Sequence, residues 1–546
     1  METPQPVAAS LKAAHRAGAV GRAALRWMRS RDEWRWLIAL CAAVRLLAML
    51  SSPAILNDSV SLLRSATRVS TEGPGVLLQI PHHPLPVAVF ALAGRWFDPL
   101  TAASVLCALG SSIAVWPLHA LARRACGRHA ALAACLFYAV LPKAVAVGAV
   151  PLAEGIALPF FLGALALAAA ARDAPRAVTI RRLVGAGALA GLAFLCRPEA
   201  LIAFPAALAA AALDGRVGKL RRAGLVTLGF VVFALPYVVL LSQERGRLTL
   251  SPKKDLARFV GAAAPLRDAV PSGAAIAAPE QPSDAHTGGV TDIVRGTASA
   301  LESALTVPLI VLVLLGTVPY RRWRRRRARR PRLLLIATAL ILIALVARLH
   351  AGWGYGGGRH VLAAAVLLLP FAGEGLALLG SIFVRVTTRR RFLIVAATTL
   401  AIPLGATAVL RPPGEGGLGA RRLGEALAAA IEREGGASSR VTIASSGEPR
   451  VAFYADRVLD RSGGSARDLP LWGRFLRPLS RGAALDDVVS GVHAELALSG
   501  ADWLVLDVVD RDAAEVALLR ALRERGLVSE STIAAGSELA AIAVVR

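Results

Sequence analysis

Apolar residues in this chain arrive in long unbroken blocks rather than in alternating or every-third-residue patterns. Leu183–Leu195, Ala223–Leu241, Leu333–Val346 and Val361–Ala372 are apolar on nearly every side. A helix of that kind is buried in lipid or in a very large core, and about 20 such residues cross the hydrocarbon layer. The blocks predict an all-α polytopic membrane protein of about eleven transmembrane helices, near 36–52, 100–122, 129–141, 151–171, 183–196, 199–213, 223–242, 304–319, 333–349, 359–380 and 392–410. Helices 5 and 6 form a short hairpin with Arg197-Pro198-Glu199 at its tip.

Between the blocks the pattern changes. Segments 53–99 and 243–303 read as long loops on one side of the membrane. The first of them contains a short apolar piece, Pro86–Phe97, too short to span and suited to lying along the interface. From about residue 411 the chain becomes mixed. Arg421–Glu434 and Ala513–Arg525 read as amphipathic helices, and Val441–Ser445, Trp503–Val508 and Ala540–Val545 as strands. The expected organisation is a cytoplasmic segment 1–35, a transmembrane domain 36–410 and a small C-terminal extracytoplasmic α/β domain 411–546.

Charge fixes the orientation. The chain has 63 Lys and Arg against 37 Asp and Glu, a net charge of +26. In a soluble protein that excess points to nucleic acid, but 31 of the 63 basic residues fall in 1–35, 123–128, 172–182, 214–222, 320–332 and 384–391. The alternate segments 53–99, 142–153, 196–199 and 350–358 hold five. This is the positive-inside asymmetry; no aromatic-interleaved basic face accompanies it, so a nucleic-acid partner is not expected. The run Arg321–Arg332 reads as a cytoplasmic stop signal that meets anionic headgroups. Five cysteines lie in or beside apolar blocks, without a C-x-x-C pair, so neither a disulfide framework nor a zinc site is expected.

Charged and polar groups at the outer ends of spans are the candidates for chemistry, because they are costly there unless paired or used. Asp58, just after helix 1, suits a general base toward a hydroxyl, although residue type alone favours Asn57 or Asp58 as a helix N-cap for Ser59–Val69. His82 and His83 suit phosphate donors, metal ligands or turn caps. Glu154 opens helix 4, where the helix dipole alone favours an acid. Lys143 is the cation of the same short outer segment. Arg197 has Glu199 or a buried acid as prospective partners. The turn Gly356-Gly357-Gly358-Arg359-His360 follows a membrane helix, which excludes a dinucleotide fingerprint and offers Arg359 and His360 to a lipid headgroup. Arg45, inside helix 1, is expected to snorkel or to pair with an acid. No GxxxxGK[ST] occurs, so the pattern of a P-loop-driven pump is missing.

The order of these pieces carries a resemblance. An internal Arg in helix 1, then Asn57-Asp58-Ser59, His82-His83-Pro84-Leu85-Pro86, Gly127-Arg128-His129-Ala130-Ala131-Leu132, Pro151-Leu152-Ala153-Glu154-Gly155 and Gly191 to Ala200 (GLAFLCRPEA) resembles the GT-C-fold glycosyltransferases of family 39 type. Among them it is most similar to the bacterial dolichyl-phosphate-mannose-mannosyltransferase-like branch, well over 36–240 and loosely over 300–410. Many members have Pro-Pro-Leu-Tyr where Pro84-Leu85-Pro86 stands here, and a Tyr where Leu62 or Leu63 stands.

The resemblance implies transfer of one sugar, with inversion, from a polyprenyl-phosphate donor to a lipid, glycan or protein acceptor at the outer face of the bacterial inner membrane. It implies Asp58 as general base, His83 as the first-loop His, Glu154 as the acid opening helix 4 and Arg197 as the Arg of the hairpin. Lys143, Arg197, Arg359 and a neighbouring His would meet the departing phosphate. No cofactor is required by such a displacement, which is also compatible with a divalent metal. Two other classes compete: a secondary transporter or flippase, for which Glu374 inside helix 10 is the best residue, and a non-catalytic envelope protein on a similar scaffold. Against transport stand the lack of repeats and the scarcity of acids within helices.

Overall fold

The computed structural model describes residues 33–51, 55–171, 175–212, 218–252, 290–318, 326–353, 357–383 and most of 397–406. In the tail it describes 415–433, 440–445, 449–459, 465–470, 485–499, 503–506, most of 518–526, 528–535 and 538–545. The expected cytoplasmic segment up to residue 32, the stretch 253–289, the basic segment 384–391 and most of expected helices 392–410 and Ala513–Arg525 lie outside the described residues.

The chain is a multi-span, mostly helical membrane protein. Helices α1 (Glu33–Ser51), α2 (Asn57–Glu72), α3 (Pro84–Ala93), α4 (Pro99–Ile113), α5 (Val115–Cys126), α6 (Arg128–Val140), α7 (Pro142–Ala149) and α8 (Ala153–Ala170) make the first half. The second half holds α9 (Arg176–Cys196), α10 (Ala203–Ala212), α11 (Lys219–Arg245), α12 (Val290–Leu305), α13 (Val307–Thr317), α14 (Arg326–Trp353) and α15 (Leu362–Phe383). Among the described residues seven helices are long and apolar enough to cross a membrane, α4 and α5 together making one; two bent pairs, α6–α7 at 54° and α12–α13 at 97°, raise this to nine if each is one span.

Eleven spans are not reached among the described residues. The sixth is the short apolar stretch Pro198–Ala212, a 3-10 turn followed by α10; its 15 residues rise only about 22 Å even as pure helix. The third and eighth are broken, and the eleventh falls mostly outside the described residues. The loop 53–99 is largely helical, with α2, a 3-10 turn at Pro74–Leu78 and α3, and the end of the loop 243–303 is α12. Both α2 and α12 are amphipathic in sequence, a pattern that block-hydropathy reading passes over.

Small residues bring the spans together. A Cβ built on Gly187 of α9 would lie 1.9 Å from the Val226 carbonyl, and one on Gly229 of α11 2.1 Å from the Val184 carbonyl. Backbone-to-backbone packing of this kind replaces the hydrophobic effect as the adhesive between helices in lipid.

Two buried arginines are used structurally. Pro142 has no N–H to offer the carbonyl of Tyr138, four residues back, so the α6–α7 break exposes backbone acceptors. Arg45, fully buried, donates to the carbonyls of Ala139 at 3.3 Å and Tyr138 at 3.5 Å, and its guanidinium sits 4.8 Å from the Tyr138 ring centroid. It thus neither snorkels nor pairs with an acid. Gly148 makes the room: a Cβ there would meet Arg45 Nε at 2.7 Å. Arg332 is likewise buried, not facing headgroups. It bonds Glu374 through Nη1 at 3.1 Å and again through Nη2, and donates to the Gly316 carbonyl at 3.0 Å. The acid that best suited a transporter is neutralised in place.

The tail contains α16 (Glu415–Arg433), β1 (Arg440–Ser445), α17 (Pro449–Leu459), β2 (Ser465–Pro470), α18 (Leu485–Ser499), β3 (Trp503–Leu506), β4 (Val528–Ala535) and β5 (Glu538–Val545). The strands form one sheet in the order β2-β1-β3-β5-β4. β1 runs parallel to β2 and β3, while β5 is antiparallel to β3 and β4.

Candidate active site

At one end of the helix bundle, ion-pairing side chains from four distant parts of the chain meet. The backbone fixes each of them. α2 opens with Leu56 at its N-cap, extended and without a side-chain cap bond. Asp58 is therefore not the cap that its residue type suggests; it sits in the first turn. Arg359 Nη2 lies 2.6 Å from Asp58 Oδ2. Arg359 and His360 are held by the turn before α15, where the His360 N–H reaches the Gly357 carbonyl at 2.9 Å.

Glu154 occupies the first turn of α8, again without a capping side chain at Leu152. Its partner is Arg197, in extended backbone between α9 and the 3-10 turn Pro198–Ile202. Arg197 Nε also meets Glu199 Oε2 at 3.3 Å, so one guanidinium is shared by two half-buried carboxylates. Pro198 ends α9 sharply, and the break points Arg197 and Glu199 into the same space.

All of these but Asp58, which reaches it only through Arg359, line one cleft. Glu154, Arg197, Glu199, Arg359 and His360 form its polar part, with an apolar wall that includes Phe161 and Leu342. Lys143 approaches from α7: a Cβ on Gly358 would meet Lys143 Cε at 3.0 Å, so the lysine side chain lies close against the turn. Cations and acids alternate, Asp58 to Arg359 and then Arg197 between Glu154 and Glu199. An anion arriving in the cleft meets guanidinium donors whose present partners are side chains that it can displace.

His360 feels burial first and the nearby Arg197 and Arg359 next, and its pKa falls to about 4. It is neutral in the fold above that value, while an unfolded His titrates near 6.5. Folding then binds fewer protons than unfolding between the two values, so stability rises with pH across that window and is lost as pH falls toward 4. The wild type should lose roughly 3 kcal/mol over the window from this residue, and His360→Asn should show a flatter unfolding temperature between pH 7 and pH 5. Equal acid sensitivity of the two proteins would contradict it.

The two remaining candidates lie elsewhere. His82 Nε2 bonds Ser61 Oγ at 2.7 Å, which ties the 3-10 turn region to α2. His83, at the N-cap of α3, contacts Ser251 Oγ at 3.3 Å and packs against Phe194 and Tyr237, with ring centroids 5.3 Å and 5.8 Å away. Neither lines the cleft. Glu199 does, whereas the sequence suggests it only as a partner for Arg197; two acids flanking one arginine are the available signal. Among the described residues no three His, Cys, Asp or Glu side chains gather as a metal-binding set.

Residues 85–241 match the family model described as dolichyl-phosphate-mannose-protein mannosyltransferase. Among curated proteins, none matches the sequence significantly. Solved structures share the fold at low identity. The apo crystal structure of ArnT from Cupriavidus metallidurans is 14% identical with a TM-score of 0.60, covering 96% of this chain and 98% of that one. The same protein bound to undecaprenyl phosphate is 13% identical with a TM-score of 0.57, covering 94% and 98%. The apo oligosaccharyltransferase of Archaeoglobus fulgidus is 14% identical with a TM-score of 0.54, covering 93% of this chain and 74% of that chain.

Proposed function

We propose, for a chain that carries a mannosyltransferase-family segment on a GT-C glycosyltransferase frame, that the cleft moves a single sugar from a polyprenyl-phosphate donor to a cell-envelope acceptor. The acceptor hydroxyl oxygen attacks the anomeric carbon while the bond from that carbon to the phosphate oxygen breaks, which inverts the centre. Asp58 takes the hydroxyl proton. The polyprenyl phosphate leaves with the bonding electrons and is held by Arg359 and Arg197, with Lys143 adding positive potential. A phosphate leaving group needs no proton, so one base suffices.

The observation that supports this most is the Asp58–Arg359 pair. It sets a carboxylate beside a guanidinium that also lines the cleft shared by Arg197 and Glu154. In this reading Glu154 and Glu199 hold Arg197 charged and aimed until donor arrives. The undecaprenyl phosphate bound by the related ArnT structure makes a polyprenyl-phosphate carrier the natural donor class. We place the cleft at the outer face of the inner membrane, with residues 1–35 cytoplasmic and 411–546 an extracytoplasmic domain, from the charge asymmetry.

The test is reconstitution. Purified protein in liposomes, given a polyprenyl-phosphate sugar of the β-anomer and a membrane-extract acceptor, should yield an α-linked product by NMR. A β-linked product would overturn inversion. Accumulation of translocated but untransferred donor would favour the flippase reading instead.

A further inference from the structure

The tail grips both ends of the segment that carries Asp58. The Ile55 N–H lies just before α2 and is buried; it donates to the Tyr454 hydroxyl of α17 at 3.2 Å. Ile55, Val60, Phe453, Tyr454 and Leu100 pack as one small apolar cluster. At the far end of the segment, Arg457 meets Asp98 at 2.9 Å, and Asp98 in turn caps α4 by accepting from the Thr101 N–H. The guanidinium of Arg421, on α16, lies over the Tyr454 ring, 6.0 Å from its centroid.

This grip matters because α2 begins without a cap of its own. Its N-cap is Leu56, whose side chain offers the first turn no acceptor. The Leu56 carbonyl, which accepts from Ser59 and Val60 N–H, shapes the opening turn in which Asp58 sits. Whatever holds Ile55 and Leu56 therefore sets the backbone from which that carboxylate reaches Arg359.

We propose that α17 is a clamp on the start of α2, and that Tyr454 is a positioning residue for sugar transfer through Asp58. The inference rests on the proposed function for its catalytic half only. The hydroxyl satisfies a buried backbone donor, the ring seals the apolar cluster, and Arg457 anchors the same helix at Asp98. Misplacing a base by a fraction of its hydrogen-bond reach lowers turnover while donor binding, made by cations on other elements, persists.

Tyr454→Phe removes one oxygen atom and is not expected to unfold the chain. Two measurements on full-length protein read it out. Amide exchange over residues 55–60 should rise several-fold in the variant, and kcat should fall about tenfold with donor KM unchanged. Arg457→Gln should move both in the same direction by less. Unchanged exchange at 55–60 overturns the clamp whatever transfer does. Raised exchange with unchanged kcat, or an effect confined to KM, overturns the positioning role. Should wild-type protein transfer no sugar, the function reading fails, and the exchange measurement still decides the clamp.

Discussion

Asp58→Asn is expected to insert and fold normally and to lose sugar transfer by about 10²–10⁴-fold, the range that general base catalysis supplies. Asparagine keeps the size of the side chain and one oxygen for Arg359, but cannot take a proton. Arg359, no longer neutralised at 2.6 Å by a carboxylate, becomes freer to meet phosphate, so donor KM should hold or fall while kcat collapses. Transfer from a fluorescent polyprenyl-phosphate sugar at more than a tenth of the wild-type rate would remove Asp58 from the mechanism.

The second large effect is expected at Arg197. Arg197→Leu leaves Glu154 and Glu199 facing each other across a half-buried space without their shared cation. Breaking a buried pair from one side costs about 3–5 kcal/mol, so the solubilised variant should melt well below wild type and transfer nothing measurable. The triple variant Arg197→Leu, Glu154→Gln, Glu199→Gln separates the two consequences. It should regain most of the melting temperature and none of the transfer. Recovered transfer would reduce Arg197 to a structural part, and Arg197→Lys, which keeps charge but not the two-pronged fork, should fall between.

Much of the membrane frame was legible because apolar blocks report burial directly. What escaped were features that depend on partners far along the chain. Asp58 stood out in its motif, yet its partner is Arg359, and no local pattern links residues so distant. Its local setting even favoured a cap, which an apolar N-cap position replaced. Arg332 looked like the last member of a surface run, and only the packing of α14 on α15 reveals that it turns inward to Glu374. Arg45 was misread for a similar reason: its ligands are backbone carbonyls freed by Pro142, which side-chain bookkeeping does not count.

In the tail, the strands anticipated from sequence, β1, β3 and β5, are the three interior ones. The two that were missed, β2 and β4, are its edges. Their sequences, SARDLP and VSESTIAA, carry the charges, hydroxyls and proline that edges tolerate. Helix α17 is short and opens on proline, and so escaped as well.

The kink at Pro142 also locks a register. Arg45 and the carbonyls it holds are buried, so sliding α1 past α6 by a single turn would strand them without donors. That bond ties two helices together: α1 leads toward the acid at position 58, and α6 continues through the kink into Lys143. The spacing of those two charged groups thus depends on a guanidinium that lines no part of the cleft.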